Sequence, residues 1–148
     1  MKTRSNDTEY RYRPHTAFSH LTGWGSAAVP ESILVIDASK KTAKSYLYLR
    51  PTAGKTSDEF FANPAIGEVW VGKRPTLEEV STALGIETRD LKNFEKDSKK
   101  WDKKVTLKNA KLLEALSTLR FIKDEYEINQ MRLAVSATIA GFGDVARA

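Results

Sequence analysis

The stretch from Ser32 to Arg50 constrains the fold more than any other part of this chain. SILVID (Ser32–Asp37) is a nearly continuous apolar run, and KSYLYLR (Lys44–Arg50) follows it after ASKKTA. An unbroken, largely β-branched run of this length is what a strand buried on both faces presents. The second run alternates, with Tyr46 and Tyr48 on one face and Leu47 and Leu49 on the other, so the two read as the arms of a hairpin. Such a hairpin needs cover from further elements.

The neighbouring segments supply candidates. Residues 1–10 are polar and read as irregular or extended, and Phe18 to Thr22 is predicted as a short strand ending at Gly23. Pro51 closes the second arm of the hairpin; Ser57, Asp58 and Glu59 open a short helical stretch that Pro64 interrupts or ends. GEVWVGKRP (67–75) stays open between two assignments: its β-branched residues around Trp70 favour a strand, while its position suits the continuation of a broken helix. Thr76 and Glu79 have capping-box spacing, Leu77, Val80 and Leu84 form one stripe, and Gly85 supplies a stop, which predicts a helix.

Further on, a short helix, a loop near Trp101 and a second helix from about Lys108 to Leu116 are expected. Asp124 can cap with Glu127, and a long helix follows in which Ile128, Met131, Val135, Ile139, Phe142 and Ala146 recur three and four apart. That stripe either docks on this chain's own sheet or expects a partner, and an apolar face of that length favours self-association. There is no internal repeat. Strands mixed with helices point to an α/β domain, a small sheet covered by helices.

Composition narrows the function. A chain of 148 residues, 41% of them hydrophobic, is of single-domain size, and with no cysteine it has neither disulfides nor thiolate metal sites. A reduced, cytoplasmic setting is the expectation, with no membrane span and no apolar leader. The net charge of +5 raises nucleic acid as a partner. The surplus is local, however: Lys92 to Lys111 holds eight lysines against Glu95, Asp97 and Asp102, which accounts for the whole net charge. A lysine-only run interspersed with acids is a solvated face rather than a nucleic-acid groove.

Catalytic patterns find little support. His15 and His20 are the only histidines and, on the expected strand, point to opposite faces, so they make no metal site. No nucleophile elbow is present, GWG lacks the third glycine of a dinucleotide loop, and AGKTSDE lacks the first glycine of a Walker loop. The functional candidates that remain are Trp24, Trp70, Arg13, Lys73 and Arg74, since aromatics and arginine make interface anchors. Trp24 reads as core; for Trp70, beside GKR, a surface role is equally open.

These residues fall into a pattern. Arg13, Thr16, Phe18 and Leu21-Thr22-Gly23 fit R-x-x-S/T-x-F-x-x-L-T-G, Val69 to Arg74 fits I/V-W-x-G-x-R, and Lys123 to Ile128 fits K-D-E-x-E-I. In order and extent the chain resembles the N-terminal domain of the aminopeptidase P (Xaa-Pro aminopeptidase), prolidase and creatinase family. The resemblance implies a mixed β-sheet flanked by helices over residues 1–122, then a linker and the first helix of a catalytic pita-bread domain over 123–148.

It also implies a function. The parent enzyme removes the residue preceding proline from peptides, using two manganese ions held by Asp, His and Glu residues of the catalytic domain. This chain then carries no catalytic residue and no metal, is inactive by itself, and contributes homo-oligomer contacts and a pocket wall. Trp70 matches the tryptophan lining the substrate pocket, and Arg74 goes with it. The competing expectation is a stand-alone creatinase-like interaction module without peptidase activity.

Overall fold

The computed structural model describes residues 12–62 and 66–147. They belong to two compact units, one reaching Lys104 and the other beginning at Val105. The first is built on a three-stranded sheet of order β1-β2-β3, with β1 (Ile33–Asp37), β2 (Lys44–Leu49) and β3 (Glu87–Asp90). The hairpin expected from sequence forms, with Ile33 opposite Tyr48, Val35 opposite Tyr46 and Asp37 opposite Lys44.

The strand buried on both faces is β2 rather than β1. Leu47, Tyr48 and Leu49 are 0% exposed, whereas β1 lies at the sheet edge and leaves Ile36 51% exposed. Leu47 and Leu49 point into a core of Trp24, Ala28, Val29 and Val80, with Phe18, Leu34 and Leu77 packed around it. Trp24 is thus a core residue. On the opposite face the Tyr48 ring meets Phe94 edge-on at 5.3 Å, and Phe94 in turn meets Trp101 at 5.8 Å.

The segment Phe18 to Thr22 is not a strand. It lies in helix α1 (Thr16–Thr22), whose N-cap is His15 and whose end is Gly23 at φ 69°. Threonine and phenylalanine carry strand propensity, but burial of Ala17 and Thr22 and the packing of Phe18 near Trp24 override it. The His15 Nδ1 accepts the Ala17 N–H at 3.2 Å, and Thr22 donates its hydroxyl to the Phe18 carbonyl at 2.7 Å. The two histidines therefore stand at a helix cap and in a last helical turn, not on a strand.

GEVWVGKRP resolves into a short helix, α3 (Glu68–Val71), after α2 (Glu59–Ala62); Pro64, expected to interrupt here, lies outside the described residues. Helix α4 (Leu77–Leu84) has the full capping box and ends on Gly85 in the left-handed region, as its sequence pattern predicts. It leads into β3, which runs parallel to β2, Tyr46 opposite Glu87 and Leu49 opposite Asp90. The chain then turns through a 3-10 segment (Leu91–Asn93) into α5 (Phe94–Ser98), the short helix expected in the lysine-rich region.

Asp97 ties that lysine-rich region to the sheet through Tyr48 and Arg89, whose Nη1 stands 3.8 Å from its Oδ2. Tyr48 donates its hydroxyl to Asp97 Oδ2 at 3.0 Å and accepts from Arg89 Nη1 at 3.2 Å, while the Arg89 guanidinium lies 3.8 Å from the centre of the Tyr46 ring. Burial, with the hydrogen bond to Asp97, raises the Tyr48 hydroxyl above its usual titration range against the opposing effect of Arg89.

The second unit consists of α6 (Ala110–Phe121) and α7 (Glu125–Arg147). Helix α6 begins two residues later than the sequence suggests, because Asn109 caps it by accepting the Leu112 N–H at 3.0 Å, and it runs on to Phe121. Asp124 and Glu127 form the predicted reciprocal cap of α7, at 2.8 and 3.1 Å. Among the described residues no helix is long and apolar enough to cross a membrane.

Gly85 offers a test of the α4 stop. An added Cβ would meet nothing within 4 Å, so Gly85→Ala exposes the left-handed backbone cost alone, about 1 kcal/mol. Gly25, equally open and free of that φ, is the control. Urea unfolding should show a lowered midpoint for Gly85→Ala and a near-wild-type midpoint for Gly25→Ala.

Candidate functional site

The loop after β2 and the short helices α2 and α3 converge on two buried charges. Glu68, at the start of α3, and Arg74, just after it, are each 5% exposed. Burying two charges is costly unless their hydrogen-bonding capacity is filled, and here it is. The Glu68 carboxylate accepts the Ala53 N–H at 2.6 Å, the Thr52 hydroxyl at 2.9 Å and the Arg74 N–H at 3.3 Å. Arg74 donates from Nε to the Pro51 carbonyl at 3.2 Å, from Nη1 to the Ile66 carbonyl, and from Nη2 to Glu59 at 2.7 Å. Its Nη2 also lies 3.6 Å from Glu68.

The network continues to the surface. Arg50 Nη1 stands 3.7 Å from the same Glu59 oxygen, and its Nη2 is 3.1 Å from Glu31, a non-glycine residue at φ 65°. Carboxylates and guanidinium groups alternate along Glu31, Arg50, Glu59, Arg74 and Glu68, so each internal member is flanked by opposite charge. Burial alone would raise the Glu68 carboxyl, but the N–H of Ala53, the Thr52 hydroxyl and Arg74 outweigh it and hold the group below the usual carboxylate range.

The anchor fixes the orientation of what lies between its ends. Glu68 faces inward and Trp70, two residues on, faces outward at 58% exposure, with Val69 and Val71 beside it. The Trp70 indole N–H donates to the Phe61 carbonyl at 3.2 Å, joining α3 to α2. Phe61 is 62% exposed and meets Phe60 edge-on at 4.8 Å. The result is an exposed aromatic shelf on a charged, buried footing.

The two site residues named from sequence thus sit on one short segment in different settings: Trp70 presents its ring to the outside, and Arg74 is enclosed. Lys73 and Arg13 are exposed. Sequence reasoning missed Glu68, Glu59 and Arg50. The available signal was an acid immediately before the apolar VWV triplet, where a free strand or helix face gives no reason for one. Among the described residues no group of three or more His, Asp or Glu is placed to hold a metal ion.

The anchor makes two measurable predictions. Arg74→Met leaves the Glu68 charge buried without its cation and should cost about 3–5 kcal/mol in urea unfolding. A depressed carboxyl contributes stability that is present above its unfolded value, about 4.3, and is lost as pH falls through the lower folded value. Stability measured from neutral pH down through the carboxylate range should therefore drop more steeply for the wild type than for Glu68→Gln.

Comparison with known proteins agrees with this architecture. The family model described as the aminopeptidase P N-terminal domain matches residues 1–108. Xaa-Pro aminopeptidase 1 of Streptomyces coelicolor is 30% identical over 166 aligned positions, covering 99% of this chain and 33% of that protein. Xaa-Pro aminopeptidase 2 of the same organism is 30% identical over 164 positions, covering 98% of this chain and 34% of its own length. The chain therefore spans about a third of the length of the curated relatives it matches. No solved structure matches it. On the family match and the relatives together, the chain belongs to the aminopeptidase P N-terminal domain family.

Proposed function

We propose that this chain is the substrate-pocket and assembly domain of a proline-specific metallopeptidase, an enzyme that removes the residue preceding proline from peptides. The observation that carries the reading is the exposed Trp70 ring on a footing of buried charge. A flat indole face held in one orientation is a surface on which a pyrrolidine ring can rest, and a rigid wall lowers the entropic cost of positioning a peptide. Arg74 then acts as a positioning residue, through Glu68 and the backbone that carries Trp70.

Hydrolysis itself belongs to a catalytic half. The described residues do not fit a pair of manganese ions, because no cluster of three suitable ligands is present among them. In this reading the metals sit in a pita-bread domain corresponding to the remaining length of the relatives, and residues 123–148 are the linker and first helix leading into it. The domain serves by closing over that centre and excluding water. Proline-containing peptides are the substrates, the assembled protein is a homo-oligomer, and its setting is cytoplasmic.

The test is complementation. Xaa-Pro peptide hydrolysis with manganese should be absent with this chain alone and appear when a separately made catalytic half is added. In that mixture Trp70→Ala should lower kcat/KM about tenfold, equivalent to roughly 1.4 kcal/mol. Turnover by the pure chain would overturn the reading; inactivity of the mixture with both parts folded would favour an interaction-only module.

A further inference from the structure

Trp70 is held at two points, its backbone and its ring, and the buried footing accounts directly for the backbone alone. Glu68 and Arg74 fix α3 through their bonds to Ala53, Pro51 and each other. The indole is 58% exposed, with little packing around it to select one rotamer. What orients it is its N–H, which donates to the Phe61 carbonyl of α2 at 3.2 Å. That bond holds the ring only as firmly as α2 itself is held.

Helix α2 has little support of its own. It is four residues long, none of them buried, and the chain reaches it from the sheet through Gly54 at φ 78° and the exposed Lys55 and Thr56. So short a helix has no intrinsic stability. Its link to the footing is its first residue, Glu59. The Glu59 Oε1 accepts from Arg74 Nη2 at 2.7 Å and stands 3.7 Å from Arg50 Nη1. The same Nη2 lies 3.6 Å from Glu68, so its hydrogen bond goes to Glu59, and Glu68 contributes only charge to that nitrogen. Arg74 is 5% exposed, and a charge-assisted bond from a buried guanidinium outweighs a surface ion pair.

We propose that Glu59 is a positioning residue for the Trp70 indole, acting through α2 and the Phe61 carbonyl. The inference rests on the pocket-wall reading above for its effect on substrate, and on hydrogen-bond geometry alone for its effect on the ring. Arg74 then governs Trp70 by two routes, the backbone through Glu68 and the ring through Glu59. Because the indole N–H is engaged inside the protein, the face offered to a peptide is apolar. A ring oriented before the substrate arrives has little rotamer freedom to lose on binding. Its release weakens the ground state and the transition state alike, so the effect falls on KM rather than kcat.

The chain has three tryptophans, whose indole N–H signals can be read separately by heteronuclear NMR, with Trp70 identified by its loss in Trp70→Phe. Glu59→Met should move the Trp70 signal and speed its exchange with solvent about fivefold, the worth of one net hydrogen bond. The Trp24 and Trp101 signals should stay in place and report an intact fold. Glu59→Gln keeps an oxygen to accept from Arg74 and should show a smaller change of the same kind. Asp58→Asn, which removes the same charge from an exposed neighbour, should leave Trp70 unchanged. With the catalytic half added, Glu59→Met and Trp70→Phe should each raise KM for an Xaa-Pro peptide about fivefold at constant kcat, and the double variant should be no worse than either.

An unmoved Trp70 signal in Glu59→Met, or KM effects that multiply in the double variant, overturns the inference. Movement of the Trp70 signal with KM unchanged in an active mixture supports Glu59 as the residue that orients the ring and overturns the pocket-wall reading instead. If Glu59→Met shifts all three signals, Glu59→Gln decides: a change confined to Trp70 supports the inference, and no change at Trp70 overturns it.

Discussion

Burial of both faces of β2 is the constraint on which the first unit depends. Leu47 and Leu49 close one face against Trp24, Val29 and Val80, while Tyr48 closes the other against Phe94. A strand enclosed in this way cannot slip by one residue, because slippage would move the leucines onto the tyrosine face and carry the Tyr48 hydroxyl away from Asp97 and Arg89. The register of β2 in turn fixes where the chain leaves the sheet at Pro51. From there Pro51, Thr52 and Ala53 meet Arg74 and Glu68, so the sheet positions the charged footing and the footing positions Trp70.

That chain of dependence explains why a domain would keep two charges inside. A hydrophobic pair of similar volume could hold α3 in place at less desolvation cost, yet it would not specify direction. Glu68 meets three donors from two segments, and Arg74 meets acceptors from three. A four-residue helix has no stability of its own. Its orientation comes from these bonds, and rotation of α3 would break several together.

Much of this was legible in the sequence, and the failures have physical causes. The hairpin, the α4 capping box and the α7 cap were readable because each is a local pattern, complete within a few residues. Trp24 was readable as core, and the three motifs led to the family. Strand β3 was not readable: Glu87, Thr88, Arg89 and Asp90 contain no apolar residue, and they become a strand because they lie parallel beside β2. Helix α1 was misread because its β-branched and aromatic residues speak for a strand while tertiary packing decides otherwise. The anchor was invisible because its partners stand 15, 16 and 23 residues apart, separations at which one sequence carries no pairing signal.

The parallel pairing of β2 with β3 has a kinetic consequence. The β1–β2 hairpin closes over a short connection, but Tyr48 and Arg89, which lie opposite each other in the β2–β3 pair, are 41 residues apart in the chain. Closing the longer loop carries the larger entropic cost, and a polar four-residue strand returns little hydrophobic gain for it. The hairpin with its leucine face therefore forms early, and β3 settles late in the order of folding, carrying the lysine-rich segment behind it. A chain emerging from synthesis would hold an ordered hairpin with the tyrosine face still uncovered until Phe94 and Trp101 arrive.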